Sequence, residues 1–389
     1  MSLSNITLTA AVRQNLLSLQ GTAELLATTQ GRLATGKKVN SALDNPTNFF
    51  TAAGLDARAS DISNLLDSIG NGVQVLQAAN TGITSLSKLV DTAKSIANQV
   101  LQQPSGYSAR STVTSTAALG GTAANLVDGA TIKAGQTIIV AANGSLPAVT
   151  VTIGASESLD QLNTALAAGN LTASLDSANK LVITTTNDFA SSTIGAVTVG
   201  STPGSATFGA AVAPVADPVS QATRASLVSQ YNQILTQITT TAQDASFNGI
   251  NLLNGDTLKL VFDETGKSTS TITGVTFNPT GLGLKVLTSG TDFLDNSSTN
   301  AVLASLNTAS ITLRSQASAF GANLSIVQIR QDFNKNIINV LQTGSSALTL
   351  ADSNEEAANS QALSTRQSIA TSALSLANTS QQSVLQLLR

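Results

Sequence analysis

Residues 46–103 run for 58 residues with no proline after Pro46, and apolar side chains recur along them every three or four positions: Leu55, Ile62, Leu65, Leu66, Ile69, Val73, Leu76, Ile83, Leu86, Leu89, Val90, Ile96 and Val100. That spacing lays an apolar stripe along one face of an α-helix. Asn45 stands before Pro46 as a cap-type residue before a proline suited to the first helical turn, and Pro104 with Gly106 ends the pattern. At about 1.5 Å per residue such a helix would reach ~87 Å. It is too extended to bury its own stripe, so it must pack against other long helices.

The two ends of the chain supply candidates. Within residues 5–35 a heptad places Val12, Leu19, Leu26 and Leu33 at one core position and Leu16 and Ala23 at the other, interrupted by Thr9 and Gln30. Gly31, Gly36 and the pair Lys37 and Lys38 then weaken the pattern, and the two lysines read as a solvated bend. Helical spacing returns at Leu227, Ile234, Leu235 and Ile238. Residues 293–343 and 351–389 read as two long helices separated at Gly344, the last with Leu363, Ala370, Ala377 and Val384 in heptad register and Leu374 and Leu388 on the adjoining seam. Two seams this apolar, at opposite ends of one chain, most simply pair with each other and with copies of themselves.

Between them the character changes. Residues 107–216 are rich in Thr, Val, Ala, Gly and Ser, and the runs TIIV (137–140), VTVTI (149–153), LTASL (171–175) and LVITT (181–185) read as strands, with a short helix over 158–166. Asn248-Gly249, Asn254-Gly255 and Thr265-Gly266 punctuate a second β stretch, with strands at 258–262 and 270–273. The expected fold is mainly α: a long discontinuous helical bundle or coiled coil from both termini with a β-hairpin region, and a small β-rich α+β outer insert. The expected division is 1–45 with 345–389 as a terminal helical domain, 46–106 with 219–344 as a long-helix rod carrying the hairpins, and 107–218 as the surface insert.

Composition narrows the function. The chain has no His, Cys or Trp, which removes the commonest general base, the thiol nucleophile and the usual zinc and iron–sulfur ligands. Adjacent carboxylates such as Asp263-Glu264 and Glu355-Glu356 diverge on a strand or helix and make poor acid–base or metal pairs. No catalytic residue, cofactor or metal is expected. Charged residues are only 11% and the net charge is -3, a surface tolerant of self-association and without a nucleic-acid footprint. The first twelve residues lack a basic side chain and an apolar core, so no cleavable export signal is expected, and no apolar run is long enough for a membrane span.

Two motifs carry a family resemblance. Gln14, Asn15 and Leu16 followed by RLATGKKVNSALDNP (32–46) resemble the bacterial flagellin pattern of a helix leading to R-L-(S/A)-(S/T)-G-x-(R/K)-(I/V)-N-S-A-x-D. The closing SLANTSQQSVLQLLR (375–389) is similar to that family's L-A-Q-A-N-x-x-P-Q-x-V-L-x-L-L-R, with Thr379 and Ser383 altering the ending and Asn48, Phe49 and Phe50 replacing the commoner alanine-rich start of the second helix. The resemblance covers roughly 1–103 and 219–389 and is of the alphaproteobacterial type. It implies a filament subunit exported through the flagellar type III apparatus, polymerised with itself and possibly with sister flagellins, and served by an export chaperone, a cap and hook-associated proteins. It also implies an extracellular location, and terminal helices that order only on assembly. The residues expected to carry polymerisation are Val12, Leu16, Leu19, Leu26, Leu33, Leu363, Leu374, Val384, Leu385 and Leu388.

Many flagellins also carry Q-R-x-R-E-L-A near the end of the second helix, contacted by an innate immune receptor of animal hosts. The matching stretch here is Asp91, Thr92, Ala93, Lys94, Ser95, Ile96 and Ala97. The first arginine and the glutamate are missing, so weak or absent receptor activation is expected. Competing readings are a hook–filament junction protein with the same terminal helices, disfavoured by the Leu387-Leu388-Arg389 ending, and an enzyme carried in the insert, disfavoured by the missing His and Cys. The Ser and Thr of the insert read as strand and turn surface, with O-glycosylation as the functional alternative.

Overall fold

The computed structural model describes residues 10–200 and 207–387. Among them the helices are α1 (Ala10–Thr35), α2 (Pro46–Gln102), α3 (Leu159–Leu166), α4 (Pro218–Asp244), α5 (Asn296–Thr349) and α6 (Ser353–Leu387). The chain is mostly helical with a small β-rich insert in the middle, as the patterning requires. It divides into two compact units: residues up to 71 with 260–270 and 327 onward, and residues 72–259 with 271–326.

In the first unit α1 packs on α6. The α1 stripe turned toward its partner is Val12, Asn15, Leu19, Thr22, Leu26 and Thr29, and on α6 the half-buried positions are Ser360, Leu363, Gln367, Ala370, Leu374 and Ala377. Both run with the alternating 3–4 spacing of a coiled-coil seam. The second heptad position is therefore Asn15 and Thr22, and Leu16 and Ala23 lie outside the seam. The chain breaks between α1 and α2 and between α5 and α6 lie side by side: the N–H of Lys38 donates to Thr349 O at 2.7 Å and that of Ala351 to Gly36 O at 3.0 Å. Gly36 has φ +69°, which a β-carbon would strain. Arg32 and Glu356 bridge the two helices at 3.2 Å. Beyond the break Leu55, Ala59 and Ile62 of α2 pack with Ile337, Ile338 and Leu341 of α5.

One boundary differs from the sequence expectation. Gly344 does not separate two helices, because α5 continues to Thr349 and the break falls at 350–352. A glycine inside a helix costs only about 1 kcal/mol, which packing overrides, and the true start signal is Asp352, whose Oδ1 accepts from the N–H of Asn354 at 2.8 Å. At its other end α5 starts at Asn296, where Asp295 Oδ1 accepts the N–H of Ser298 at 2.9 Å.

The second unit holds the insert. Its strands are β1 (Tyr107–Ala109), β2 (Thr112–Thr114), β3 (Thr137–Val140), β4 (Val149–Thr152), β5 (Leu171–Leu175), β6 (Leu181–Thr185), β7 (Val197–Val199) and β8 (Val215–Ala216). They form an antiparallel β1–β8 pair at the neck and two three-stranded sheets, ordered β2-β6-β5 and β4-β3-β7. The sheets and α3 share one core that includes Val113, Ile138, Leu162, Leu166, Leu171, Leu181 and Ile183. Helix α3 is set by a capping box, Ser158 and Gln161 each bonding the other's backbone N–H. Strands β9 (Thr257–Val261) and β10 (Thr269–Thr273) make the later hairpin. The Asn248-Gly249 turn has φ +50° and +80° between mutually bonded Phe247 and Ile250, the geometry that asparagine and glycine adopt at least cost.

Candidate functional site

The α1/α6 pair has two kinds of surface. Its seam is thin, because half of the inward positions on α1 are Asn or Thr and those on α6 are mostly Ser, Gln or Ala. Its outward faces carry large apolar side chains: Leu17 is 68% exposed and Leu376 72%, with Leu16, Leu25, Leu33 and Ile369 also exposed. On α6, Thr365, Ser368, Ile369, Ser372, Ala373 and Leu376 line an open groove of about 430 Å³. In the same unit Ile329, Phe333 and Val340 stand exposed on α5, and so does Phe50 on α2. Water contact with this many leucines, isoleucines and phenylalanines is unfavourable at roughly 25 cal/mol per Å² of apolar area. An exposed apolar surface of this extent marks an interaction site.

The sequence-derived seam residues fall on both surfaces. Val12 is buried, and Leu19, Leu26, Leu363 and Leu374 are half-buried within the pair, whereas Leu16 and Leu33 face outward. Val384 and Leu385 lie in α6 without a described side-chain environment, and Leu388 lies outside the described residues. Leu17, Leu25, Ile369 and Leu376, which are also exposed, fall outside the heptad positions read from the sequence.

The segment matched to the receptor-binding motif is helical and half displayed. Asp91 and Thr92 are exposed, Ile96 is buried, and Lys94 Nζ lies 3.8 Å from Asp91 Oδ1 across one helical turn. The one cation of the segment is thus turned onto a carboxylate of its own helix.

At the base of the insert an arginine of one helix ties down two other segments. Arg224 of α4 is 1% exposed, and its Nε, Nη2 and Nη1 donate to the carbonyls of Pro104 at 2.7 Å, Gln103 at 3.0 Å and Phe293 at 2.6 Å. Two of those carbonyls follow the C-terminal end of α2, where a cation is favourable. Burial pulls the guanidinium pKa down and the nearby Asp295 charge opposes this. Phe293 takes φ +61°, a conformation costly for a bulky residue, and packs edge-on against Tyr231 with ring centroids 5.9 Å apart. Asp295 also accepts from the Ser191 hydroxyl of the insert. None of these residues stood out as a site in the sequence, although a lone arginine one turn before Leu227 and Val228 and two turns before Tyr231 was its signal.

Within the insert, Asp128 fixes a loop by accepting the N–H groups of Gly120, Ala130, Thr131 and Ile132 and the Thr131 hydroxyl. Burial would raise this carboxyl, but the bonds from Thr131, Ala130, Gly120 and Ile132 outweigh it and hold the group far below the usual carboxylate range. Among the described residues no group of three or more His, Cys, Asp or Glu could hold a metal ion. None of their helices is long and apolar enough to cross a membrane.

Comparison with known proteins places this architecture. The bacterial flagellin N-terminal helical region matches residues 6–130 and the bacterial flagellin C-terminal helical region matches residues 303–388. Flagellin FljM of Caulobacter vibrioides is 31% identical over 164 residues, 42% of this chain and 59% of FljM. Flagellin A of Rhizobium meliloti is 34% identical over 90 residues, 23% of each chain. A flagellin of Brucella melitensis is 26% identical over 171 residues, 41% of this chain and 60% of the relative. The chain thus spans about three fifths of FljM. With both terminal helical regions matched in order, the chain belongs to the bacterial flagellin family.

Proposed function

We propose that this chain is a structural subunit that polymerises into the helical filament of the bacterial flagellum, and that it is not an enzyme. The observation that carries this reading is the α1/α6 pair: a thin seam inside, and Leu17, Leu25, Ile369 and Leu376 left on its outer faces. Two helices cannot cover those faces alone, and further copies of the same pair would. Contacts between unlike faces that do not close on themselves build an open helical polymer. In this reading residues 1–45 and 345–389 form the inner layer, 46–106 and 219–344 the rod, and 107–218 the outward insert. Export through the flagellar type III apparatus, an extracellular location and partnership with sister flagellins, a chaperone, cap and hook-associated proteins belong to the same reading. So does weak innate-receptor activation, supported by the Asp91–Lys94 pair; potency in a receptor reporter cell equal to that of a strongly recognised flagellin would contradict it.

Seeded polymerisation followed by negative-stain electron microscopy tests the main claim. The full chain should grow long tubes from short filament seeds. Leu374→Asp, which strikes the seam from within, and Leu376→Asp, which leaves the seam intact and charges the outer face, should both stop growth while the insert stays folded. Normal tubes from both variants would refute the assignment of these faces, and no tubes from the unmodified chain would favour a hook–filament junction protein.

A further inference from the structure

The core shared by the two insert sheets and α3 is drawn from residues 113–211 and takes in no side chain of α2, α4 or α5. What joins that body to the helices is the neck, β1 of three residues paired with β8 of two, and the pairing slips register between Tyr107 and Ala109. Ser108, Ala109, Val215 and Ala216 of the neck are exposed. An irregular two-stranded ribbon bends and twists locally. Bodies joined without a large apolar interface move relative to one another by default, so a fixed orientation of the insert needs a further contact.

A side-chain bond supplies it. Ser191, in the segment between β6 and β7, donates its hydroxyl to Oδ2 of Asp295. It is presented from a packed turn, since Ala190 beside it is fully buried and the N–H of Ser192 donates to Phe189 O at 3.1 Å. Asp295 is 6% exposed and is built into the first turn of α5: Oδ1 accepts the Ser298 N–H at 2.9 Å, and its carbonyl accepts the hydroxyls of Ser298 and Thr299 at 3.0 and 2.9 Å. The helix cap thus occupies one carboxylate oxygen and leaves the other to the insert. A hydroxyl bonded to a buried carboxylate makes a charge-assisted bond, stronger than one between neutral groups.

We propose that Ser191 and Asp295 form a latch that sets the orientation of the insert. Closed, it holds the insert as described above; open, the insert pivots on the β1–β8 neck while its own core stays folded. The latch lies within one subunit and one compact unit, so it goes beyond the filament reading and does not depend on it.

The test uses the full chain, whose lack of cysteine allows a spin-label pair at two exposed positions, Thr150→Cys in β4 and Gln230→Cys in α4. Double electron–electron resonance reads the distance distribution between them, and hydrogen exchange reads the insert core. The unmodified latch should give one narrow distribution. Ser191→Ala removes the hydroxyl and should broaden it; Ser191→Asp sets a like charge against Asp295 and should add a second, displaced population. Ser191→Thr keeps the hydroxyl and should stay narrow. Protection of β3 to β6 should be the same in all four chains. A distribution that neither Ser191→Ala nor Ser191→Asp alters, one already broad with Ser191 in place, or loss of protection across β3 to β6 in Ser191→Ala would each overturn the proposal.

Discussion

At the scale of single residues, Arg224 and Asp128 each hold several backbone groups at once. Arg224 satisfies three carbonyls from two separate segments. Removing it leaves buried acceptors without donors, and Arg224→Ala should cost about 3 kcal/mol or more in urea unfolding. Arg224→Lys should recover only part of that loss, because an ammonium cannot reproduce the guanidinium fork. Asp128→Ala removes the acceptor for four backbone N–H groups and one hydroxyl, with an expected cost of about 1–3 kcal/mol, read as loss of exchange protection over residues 119–132. Its signal in the sequence was slight, because an aspartate before Gly129 reads as an ordinary turn until the N–H groups that converge on it are seen.

At the scale of elements, one substitution should act with opposite sign at two places in α2. A β-carbon on Gly54 would meet nothing within 4 Å, so Gly54→Ala should stabilise by about 0.5–1 kcal/mol through helix propensity alone. A β-carbon on Gly82 would sit 2.6 Å from Leu253 Cδ1 and 2.7 Å from the Ala245 Cβ. Gly82→Ala should therefore destabilise by about 1–3 kcal/mol despite the same propensity gain; equal thermal shifts for the two variants would contradict the close approach seen at Gly82. The elements themselves were legible where a period was long. The stripe from Ile62 to Val100 defined α2, and the runs 137–140, 149–153, 171–175 and 181–185 became β3 to β6. Strands β1, β2, β7 and β8 were not legible, being two or three residues long with partners far away in sequence, as Thr112 is paired with Thr184. The α1 seam was half legible. Val12, Leu19 and Leu26 lie on it, but hydrophobicity chose Leu16 where the helix pair uses Asn15.

At the scale of the whole molecule, the absence of histidine and cysteine has a consequence for pH. The carboxyls of Asp44, Asp128, Asp217 and Asp263 are all held below the ordinary value of 3.8: by backbone bonds from Ser41 and Asn40 at Asp44, by the Ser220 hydroxyl at Asp217 and by the Thr265 hydroxyl at Asp263. A depressed carboxyl adds stability that is fully present above the unfolded value and is lost as pH falls through the folded one. Urea midpoints should accordingly change little between about pH 5 and 8, where no side chain of this composition titrates unperturbed, and fall below about pH 4. A stability change centred near pH 6.5 would contradict this.

The central claim is that the α1/α6 pair is completed by other copies of the chain. Hydrogen exchange of α1 and α6, compared between the free subunit and the seeded polymer, tests it most directly. The account predicts rapid exchange in both helices of the free subunit and strong protection in the polymer, with β3 to β6 protected alike in both states. Full protection of α1 and α6 in the free subunit, unchanged on assembly, would show that the pair needs no neighbour and would contradict the account.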